Sequence, residues 1–434
     1  MRIAYIAAGA GGMYCGSCIH DNALAAALQA LGHEVALLPT YTPLKTDEES
    51  VSDSHQFYGA INVFLQQKSG IFRHTPRFLD RLLDGRALLS WISRLGASTD
   101  PAGLGDLTLE MLRGETGAQH KELDRLVHWL ATDYQPEVVV ITNSLLLGLV
   151  QRIKAALGVP VVVCVQGEDL FIDQLPEPGR RRVQAELERR ANDADLFIAP
   201  SHYYADHMAR KLGQDLSRFE VVPMGIKLEG HGDPPPAAAD RPVVLGYLAR
   251  ICPEKGLDRL VEAFIGLASA NPGRGLSLRI AGYLGPRDRD YWEEQQRRLE
   301  GAGLSDRVDF LGEIDRPTKL EFLSSIDILS VPTVYQEPKG LFALEAMASG
   351  VAVVLPNHGS FPEILTETGG GVLYEPDSAI ALEAALSRLI EDSDARRAFG
   401  RRGRSAVHAA RGAQLMAERT ATVLTSLVAP SKED

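Results

Sequence analysis

Residues 326–355, IDILSVPTVYQEPKGLFALEAMASGVAVVL, read as strand, loop, helix and strand. Val351–Leu355 is a continuous apolar run, Ile326–Val331 is an apolar run interrupted by Asp327 and Ser330, and Gly340 stands where the loop between them turns into a helix. Two short apolar strands joined through a helix form a parallel pair covered on both faces. The same rhythm extends outward on both sides. Val243–Leu248, Leu278–Ala281, Val308–Leu311 and Gly371–Tyr374 are further strands of the second half. In the first half, Ile3–Ala7, Val35–Pro39, Val138–Ile141, Val161–Val165, Leu196–Ala199 and Val221–Pro223 alternate with helical patterns at about 22–31, 144–158, 179–193 and 201–212.

Between the halves lies HGDPPPAAADRP, residues 231–242, with four prolines and no apolar pattern. Such a stretch is a stiff extended linker. The expected fold class is therefore α/β: two doubly wound parallel sheets, residues 1–238 and 239–412, with ligands at the carboxyl ends of the strands and in the cleft that two facing sheets make.

The chain has 434 residues, 45% hydrophobic and 24% charged, ample for two cores of an ordinary soluble protein. A formal charge of −12 argues against a nucleic-acid binder, which needs a concentrated basic surface. Four cysteines, at 15, 18, 164 and 252, are too few for a disulfide-built secreted protein, so a cytoplasmic location is expected. The opening MRIAYIAAGAGG reads as a strand and turn rather than a signal peptide. Val138–Val150 is too short for a membrane span. The insertion at 66–130 is helical, and its 71–95 part carries Arg73, Arg77, Arg81, Arg86 and Arg94 among apolar residues. That part reads either as a peripheral membrane contact or as a solvated helix on the sheet.

Several strand-end loops carry chemistry. Ala8-Gly9-Ala10-Gly11-Gly12 follows the first strand but lacks the third glycine of a dinucleotide fingerprint, since position 14 is Tyr14. Cys15-Gly16-Ser17-Cys18, with His20 and Asp21 behind it, reads as a redox pair, half a zinc site, or a loop of small side chains. Arg250 and Lys255 bracket a loop that opens a helix at Gly256, and two cations beside a helix N-terminus suit a diphosphate. Glu337 and Glu345 stand on either side of the helix start at Gly340 and Leu341, where free N–H groups hold phosphate and carboxylates accept from vicinal hydroxyls. Asn357–Glu363 is one more strand-end loop, placed to border the same pocket.

In this combination, R-x4-K-G, then E-x7-E with A-M-A-x-G, then Gly359-x-x-x-Glu363, the chain resembles the retaining glycosyltransferases of family 4, with the GT-B fold. The likeness is strongest over 243–366 and continues in the first half through Gly32-His33-Glu34-Val35, Ala199-Pro200-Ser201 and Val222-Pro223-Met224-Gly225. The resemblance implies a transferase that moves a sugar from a nucleoside-diphosphate sugar, UDP somewhat ahead of GDP, to an acceptor such as a glycolipid or polysaccharide precursor. It implies that Arg250 and Lys255 neutralise the diphosphate, that Glu337 holds the donor sugar, and that Glu345 holds the ribose. Gly11, Gly12, Gly340 and Leu341 would line the donor, and Gln166 and Asp169 the acceptor side. No metal or other cofactor is implied, and the last helix, within 413–434, would return to the first domain.

Three features depart from the family pattern. Gln166 stands where a histidine is common, and an amide cannot carry a proton. Lys339 replaces an aromatic residue, and Met224-Gly225-Ile226-Lys227 replaces an Asn-Gly turn. Gln166 keeps open a second reading, a sugar-nucleotide binder without turnover. The cysteine pair keeps open a third, a thiol redox protein.

Overall fold

The computed structural model describes residues 1–9, 14–40, 43–53, 101–232, 242–270 and 275–428, with the side chains of 101–104 left aside. Gly11, Gly12, the 71–95 segment and most of the proline-rich linker lie outside the described residues. The chain divides into two compact units, residues 1–223 with 416–434, and residues 224–415.

The first unit runs β1 (Arg2–Ala7), α1 (Gly16–Ala30), β2 (Glu34–Pro39), α2 (Pro101–Leu112), α3 (His120–Trp129), β3 (Val138–Thr142), α4 (Val150–Leu157), β4 (Val161–Cys164), α5 (Asp169–Gln174), α6 (Gly179–Ala191), β5 (Leu196–Ala199), α7 (His202–Leu212) and β6 (Phe219–Val221). The strands pair in the order β2-β1-β3-β4-β5-β6, all parallel. Strand residues alternate between two cores: Ala4, Ile6, Val139 and Ile141 face one, and Ile3, Tyr5, Val138 and Val140 the other. That is the period-two consequence of a sheet buried on both sides.

Among the boundaries that differ from expectation, three stand out in this unit. Helix α1 begins six residues before Asn22, because Cys18 already supplies an apolar contact in the same core as Leu24 and Leu28. The 144–158 pattern splits into a 3₁₀ turn at Ser144–Leu149 followed by α4. Strand β6 ends at Val221, where Val221–Pro223 was expected to begin. Phe219 stacks on Phe197 at 4.7 Å between ring centres and so starts the strand earlier, whereas Pro223 has no N–H for a ladder.

The second unit continues with β7 (Val243–Leu248), α8 (Leu257–Ala270), β8 (Leu276–Ala281), α9 (Arg289–Gly301), β9 (Val308–Gly312), α10 (Arg316–Ser325), β10 (Ile328–Ser330), α11 (Leu341–Ala348), β11 (Ala352–Pro356), α12 (Phe361–Thr368), β12 (Gly371–Tyr374), α13 (Ala379–Glu391) and α14 (Ser393–Ala410). Its sheet order, β12-β11-β10-β7-β8-β9, is also all parallel. A last helix, α15 (Ala413–Leu427), places Met416, Ala417 and Leu424 in the core with Ile3 and Tyr5 of the first unit. The division falls after Pro223 rather than at 238. Backbone bonds of 2.9 Å from Ile226 N–H to Arg411 and from Ala413 N–H to Ile226 tie residue 226 to the second unit. His231 adds to this through its Nδ1, 2.8 Å from the Ser349 hydroxyl. Among the described residues no helix is long and apolar enough to cross a membrane.

Candidate functional site

In the second sheet the winding reverses between β7 and β10. Loops leaving two strands at such a point diverge to opposite faces and open a crevice at the strand ends. The loop after β7 is held by the Tyr247 hydroxyl, which donates to the Arg250 carbonyl at 2.9 Å. It meets the loop after β10 through a Val334 N–H to Glu254 carbonyl bond of 2.9 Å. The approach is so close that a Cβ on Gly256 would lie 2.0 Å from the Pro332 carbonyl oxygen. Gly256 also has φ +68°, so two independent constraints call for glycine there.

This contact joins Lys255 to Glu337. The Lys255 Nζ lies 2.6 Å from Glu337 Oε2 and 2.9 Å from the Tyr335 hydroxyl, and the Tyr335 hydroxyl donates to the same Oε2 at 2.5 Å. The ammonium also sits 4.9 Å from the Tyr335 ring centre and 5.6 Å from that of Phe342. The other oxygen, Oε1, accepts from the N–H groups of Lys339 and Gly340 at 3.3 Å. Burial raises the carboxyl pKa of Glu337, but Lys255, Tyr335 and Lys339 outweigh it and hold the pKa down to about 2. Glu337 is therefore a buried, ionised carboxylate at the head of α11.

The loop after β11 closes on the same residue. Ser360 N–H donates to the Glu337 carbonyl at 2.8 Å, and a Cβ on Gly359 would lie 2.6 Å from that oxygen. Loop 357–363 thus borders the Glu337 loop. Gly340 adopts φ +66° and caps α11. Its N–H, expected to face a phosphate, is bonded to Glu337, so Leu341 and Phe342 head the helix with N–H groups that have no partner inside it. Arg250 is exposed at the rim. Glu345 is not a solvated glutamate: its Oε1 pairs with Lys319 of α10, both side chains largely buried.

Sequence reasoning missed Lys319 and Tyr335. Lys319 left a signal, because it lies on the buried stripe of α10 with Phe322 and Leu323, three and four residues on. A lysine on an apolar stripe needs an anionic partner. Tyr335 left none.

Gln166 and Asp169 lie in the first unit, at the end of β4. The Gln166 Nε2 donates to Asp21 Oδ1 at 2.7 Å, which uses one of the two N–H groups of its amide. Asp169 Oδ1 accepts from the Tyr204 hydroxyl at 2.7 Å, and its Oδ2 lies 3.2 Å from His207 Nε2. Burial pushes this carboxyl up, but those two partners hold it below the usual aspartate range. Between them, Glu168 accepts from the Ser144 N–H at 2.7 Å and the Gln166 N–H at 2.7 Å, which fixes two strand-end turns together. Cys15 caps α1 in extended conformation and Cys18 lies in the core, not in a loop; neither forms a disulfide.

Residues 233–406 match the family described as Glycosyl transferases group 1, and residues 22–225 match the Glycosyl transferase 4-like domain. A D-inositol 3-phosphate glycosyltransferase of Geodermatophilus obscurus is 30% identical over 320 residues, 68% of this chain and 66% of that protein. One of the same name from Nocardia farcinica is 30% identical over 57% of this chain and 56% of its own length, so the match spans little more than half of that relative. A GDP-mannose-dependent monoacylated alpha-(1-6)-phosphatidylinositol monomannoside mannosyltransferase of Corynebacterium glutamicum is 26% identical over 61% of this chain and 70% of that protein. Among solved structures, the sucrose-phosphate synthase of Thermosynechococcus elongatus superposes with a TM-score of 0.73 at 20% identity, covering 99% of this chain and 100% of that one. HepE of Anabaena, solved with UDP, gives 0.68 at 16% identity, covering 98% and 100%. Two parallel six-stranded sheets, the strand-end loops of the second and these matches agree: the chain belongs to the group 1 glycosyltransferases and has the two-sheet GT-B fold.

Proposed function

We propose that this chain transfers a sugar from a nucleoside-diphosphate sugar to a hydroxyl of an acceptor, with retention at the anomeric carbon. The carrying observation is the convergence of Lys255, Glu337 and the head of α11 at the switch point of the second sheet. Lys255 and Arg250 supply positive charge where a diphosphate leaves, and the N–H groups of Leu341 and Phe342 add the positive end of a helix. The Lys255 ammonium has three protons and spends two on Glu337 and Tyr335, which leaves one for a phosphate oxygen. On donor binding a sugar hydroxyl takes over an acceptor position of Glu337 Oε1 that the Lys339 and Gly340 N–H groups hold at 3.3 Å, and Glu345 accepts from the ribose. These side chains carry the charge stabilisation without a metal in this reading. The donor phosphate takes the acceptor's proton, so no enzyme base is assigned.

The first unit holds the acceptor through Gln166 and Asp169. A sugar or lipid-linked hydroxyl is the acceptor class, in keeping with relatives named for inositol phosphate and phosphatidylinositol mannoside. UDP is the first nucleotide to test, because HepE was solved with it; GDP follows from the mannosyltransferase. The reading places the protein in the cytoplasm, at the inner membrane face where its acceptor is lipid-linked.

Thermal unfolding with UDP, GDP, ADP and their sugar forms tests the donor half. A ligand at about 100 times its dissociation constant adds roughly 2.7 kcal/mol of stability. A shift with one diphosphate, lost in Glu345→Ala, supports the reading; no shift with any removes it. A second reading, binding without turnover, is favoured by Gln166. Nucleotide release faster than the spontaneous rate excludes it.

A further inference from the structure

The first sheet reverses its winding between β1 and β3, and a buried carboxylate, Asp21 of α1, sits at the ends of these strands. Its Oδ1 accepts from the Tyr5 hydroxyl at 2.9 Å, from Gln166 Nε2 at 2.7 Å and from His20 Nδ1 at 3.0 Å. Its Oδ2 accepts from the Thr142 hydroxyl at 2.7 Å. Asp21 is 1% exposed, and three of these four donors converge on Oδ1, which can only accept. The amide of Gln166 therefore has one allowed orientation. Turning it over would put a carbonyl oxygen against a carboxylate oxygen, two acceptors with no proton between them. The Gln166 N–H, bonded to Glu168 Oε2 at 2.7 Å, fixes the backbone beneath it.

This leaves the Gln166 carbonyl. The residue is 5% exposed, yet its Oε1 is buried with no hydrogen-bond partner among the described residues. A buried polar atom without a partner costs free energy and persists where something outside the fold completes it. The donor that completes it has an O–H or N–H to give.

We infer that Asp21 is a positioning residue, which turns the Gln166 amide so that its carbonyl rather than its NH₂ meets the substrate. The end of β4 then selects a hydroxyl by its proton. This rests on the glycosyl-transfer reading and assigns a role to the aspartate that follows the Cys-x-x-Cys-x-His stretch. A fluorine in place of that hydroxyl accepts but does not donate, and the site rejects it.

The test exchanges the pair in the full-length chain. Gln166→Glu sets two carboxylates against each other and should lower nucleotide release from UDP-glucose or GDP-mannose by about 100-fold. Asp21→Asn in that background restores a donor facing an acceptor, keeps an acceptor toward the substrate, and should bring release back to within about tenfold of wild type. Gln166→Leu, which has no acceptor, should stay low with or without Asp21→Asn. Failure of the exchanged pair to recover, or wild-type release in Gln166→Leu, overturns the proposal. Melting temperatures of the same variants read the pairing with no substrate present. If the exchanged pair regains stability while wild type releases no nucleotide from either donor, the transferase reading fails and the substrate role falls with it.

Discussion

The ammonium of Lys255 and the carboxylate of Glu337, 82 residues apart in sequence, lie 2.6 Å from each other at the switch point of the second sheet. The pair joins the loop after β7 to the loop after β10. Before any ligand binds, it fixes a cation where a diphosphate is expected and an anion where sugar hydroxyls are expected. Neither charge bears the full cost of its burial alone.

Removing one member should therefore damage more than catalysis. Lys255→Met leaves a buried carboxylate uncompensated and should cost about 3–5 kcal/mol of stability by urea unfolding. Adding Glu337→Gln should recover most of it without recovering transfer. In Glu337→Gln alone, transfer should be lost while the far-ultraviolet circular dichroism is unchanged. In the Lys255→Met/Glu337→Gln chain, the affinity for UDP should fall far more than that for uridine. Equal losses would take the lysine off the diphosphate.

Lys319 and Glu345 form the same kind of pair one step further along the site. In the proposed reading, where Glu345 holds the ribose, Lys319→Met should lower the affinity for UDP because the carboxylate loses the cation that positions it. It should affect UDP more than 2′-deoxy-UDP, by about tenfold in the ratio of dissociation constants. Isothermal titration of both nucleotides reads that ratio directly.

The pH dependence of stability has a named source in His231. Burial, then the cations Arg316 and Lys319, then His408 and Arg404, push its pKa down to about 3. An unfolded imidazole takes up its proton near 6.5. Between these values the unfolded chain binds one more proton, so stability rises with pH, is fully present above 6.5 and is lost toward 3. The slope due to this residue is roughly 1.4 kcal/mol per pH unit. Urea unfolding between pH 7 and pH 5 should show it in wild type and not in His231→Asn.

Two glycines with the same φ of +68° separate backbone strain from close approach. Gly158 has nothing within 4 Å of a built Cβ, and Gly158→Ala should cost about 1 kcal/mol. A Cβ on Gly256 meets the Pro332 carbonyl, so Gly256→Ala should cost clearly more and also weaken UDP binding by displacing Lys255. Equal stability losses in the two variants would mean that the two loops part freely.

Much of the fold was legible because its signals are local. Apolar runs at Val243–Leu248 and Gly371–Tyr374 match β7 and β12 to the residue. β7 is buried on both faces, and burial of that kind writes itself into consecutive side chains; β12 is a partly buried edge strand whose short apolar run is bounded by glycines and Pro376. Where the outcome depended on a partner far away, boundaries slipped. Phe219 starts β6 because Phe197 is there to receive it. The Lys255 and Glu337 loops were legible too, as glycine and charge at strand ends.

The sequence by itself determined the two parallel sheets, the loops that carry chemistry and the residues inside them. Periodicity and turn chemistry act over a few residues and need no knowledge of the rest of the chain. Only the tertiary structure decided which charge meets which. Lys255 belongs to Glu337, Glu345 to Lys319, and Gln166 to Asp21, the last pair 145 residues apart. These partnerships follow from strand order, which brings the ends of β7 and β10, and of β1, β3 and β4, side by side. A buried charge takes its properties from the neighbour that order supplies, and so the direction in which Gln166 presents its amide was fixed by Asp21.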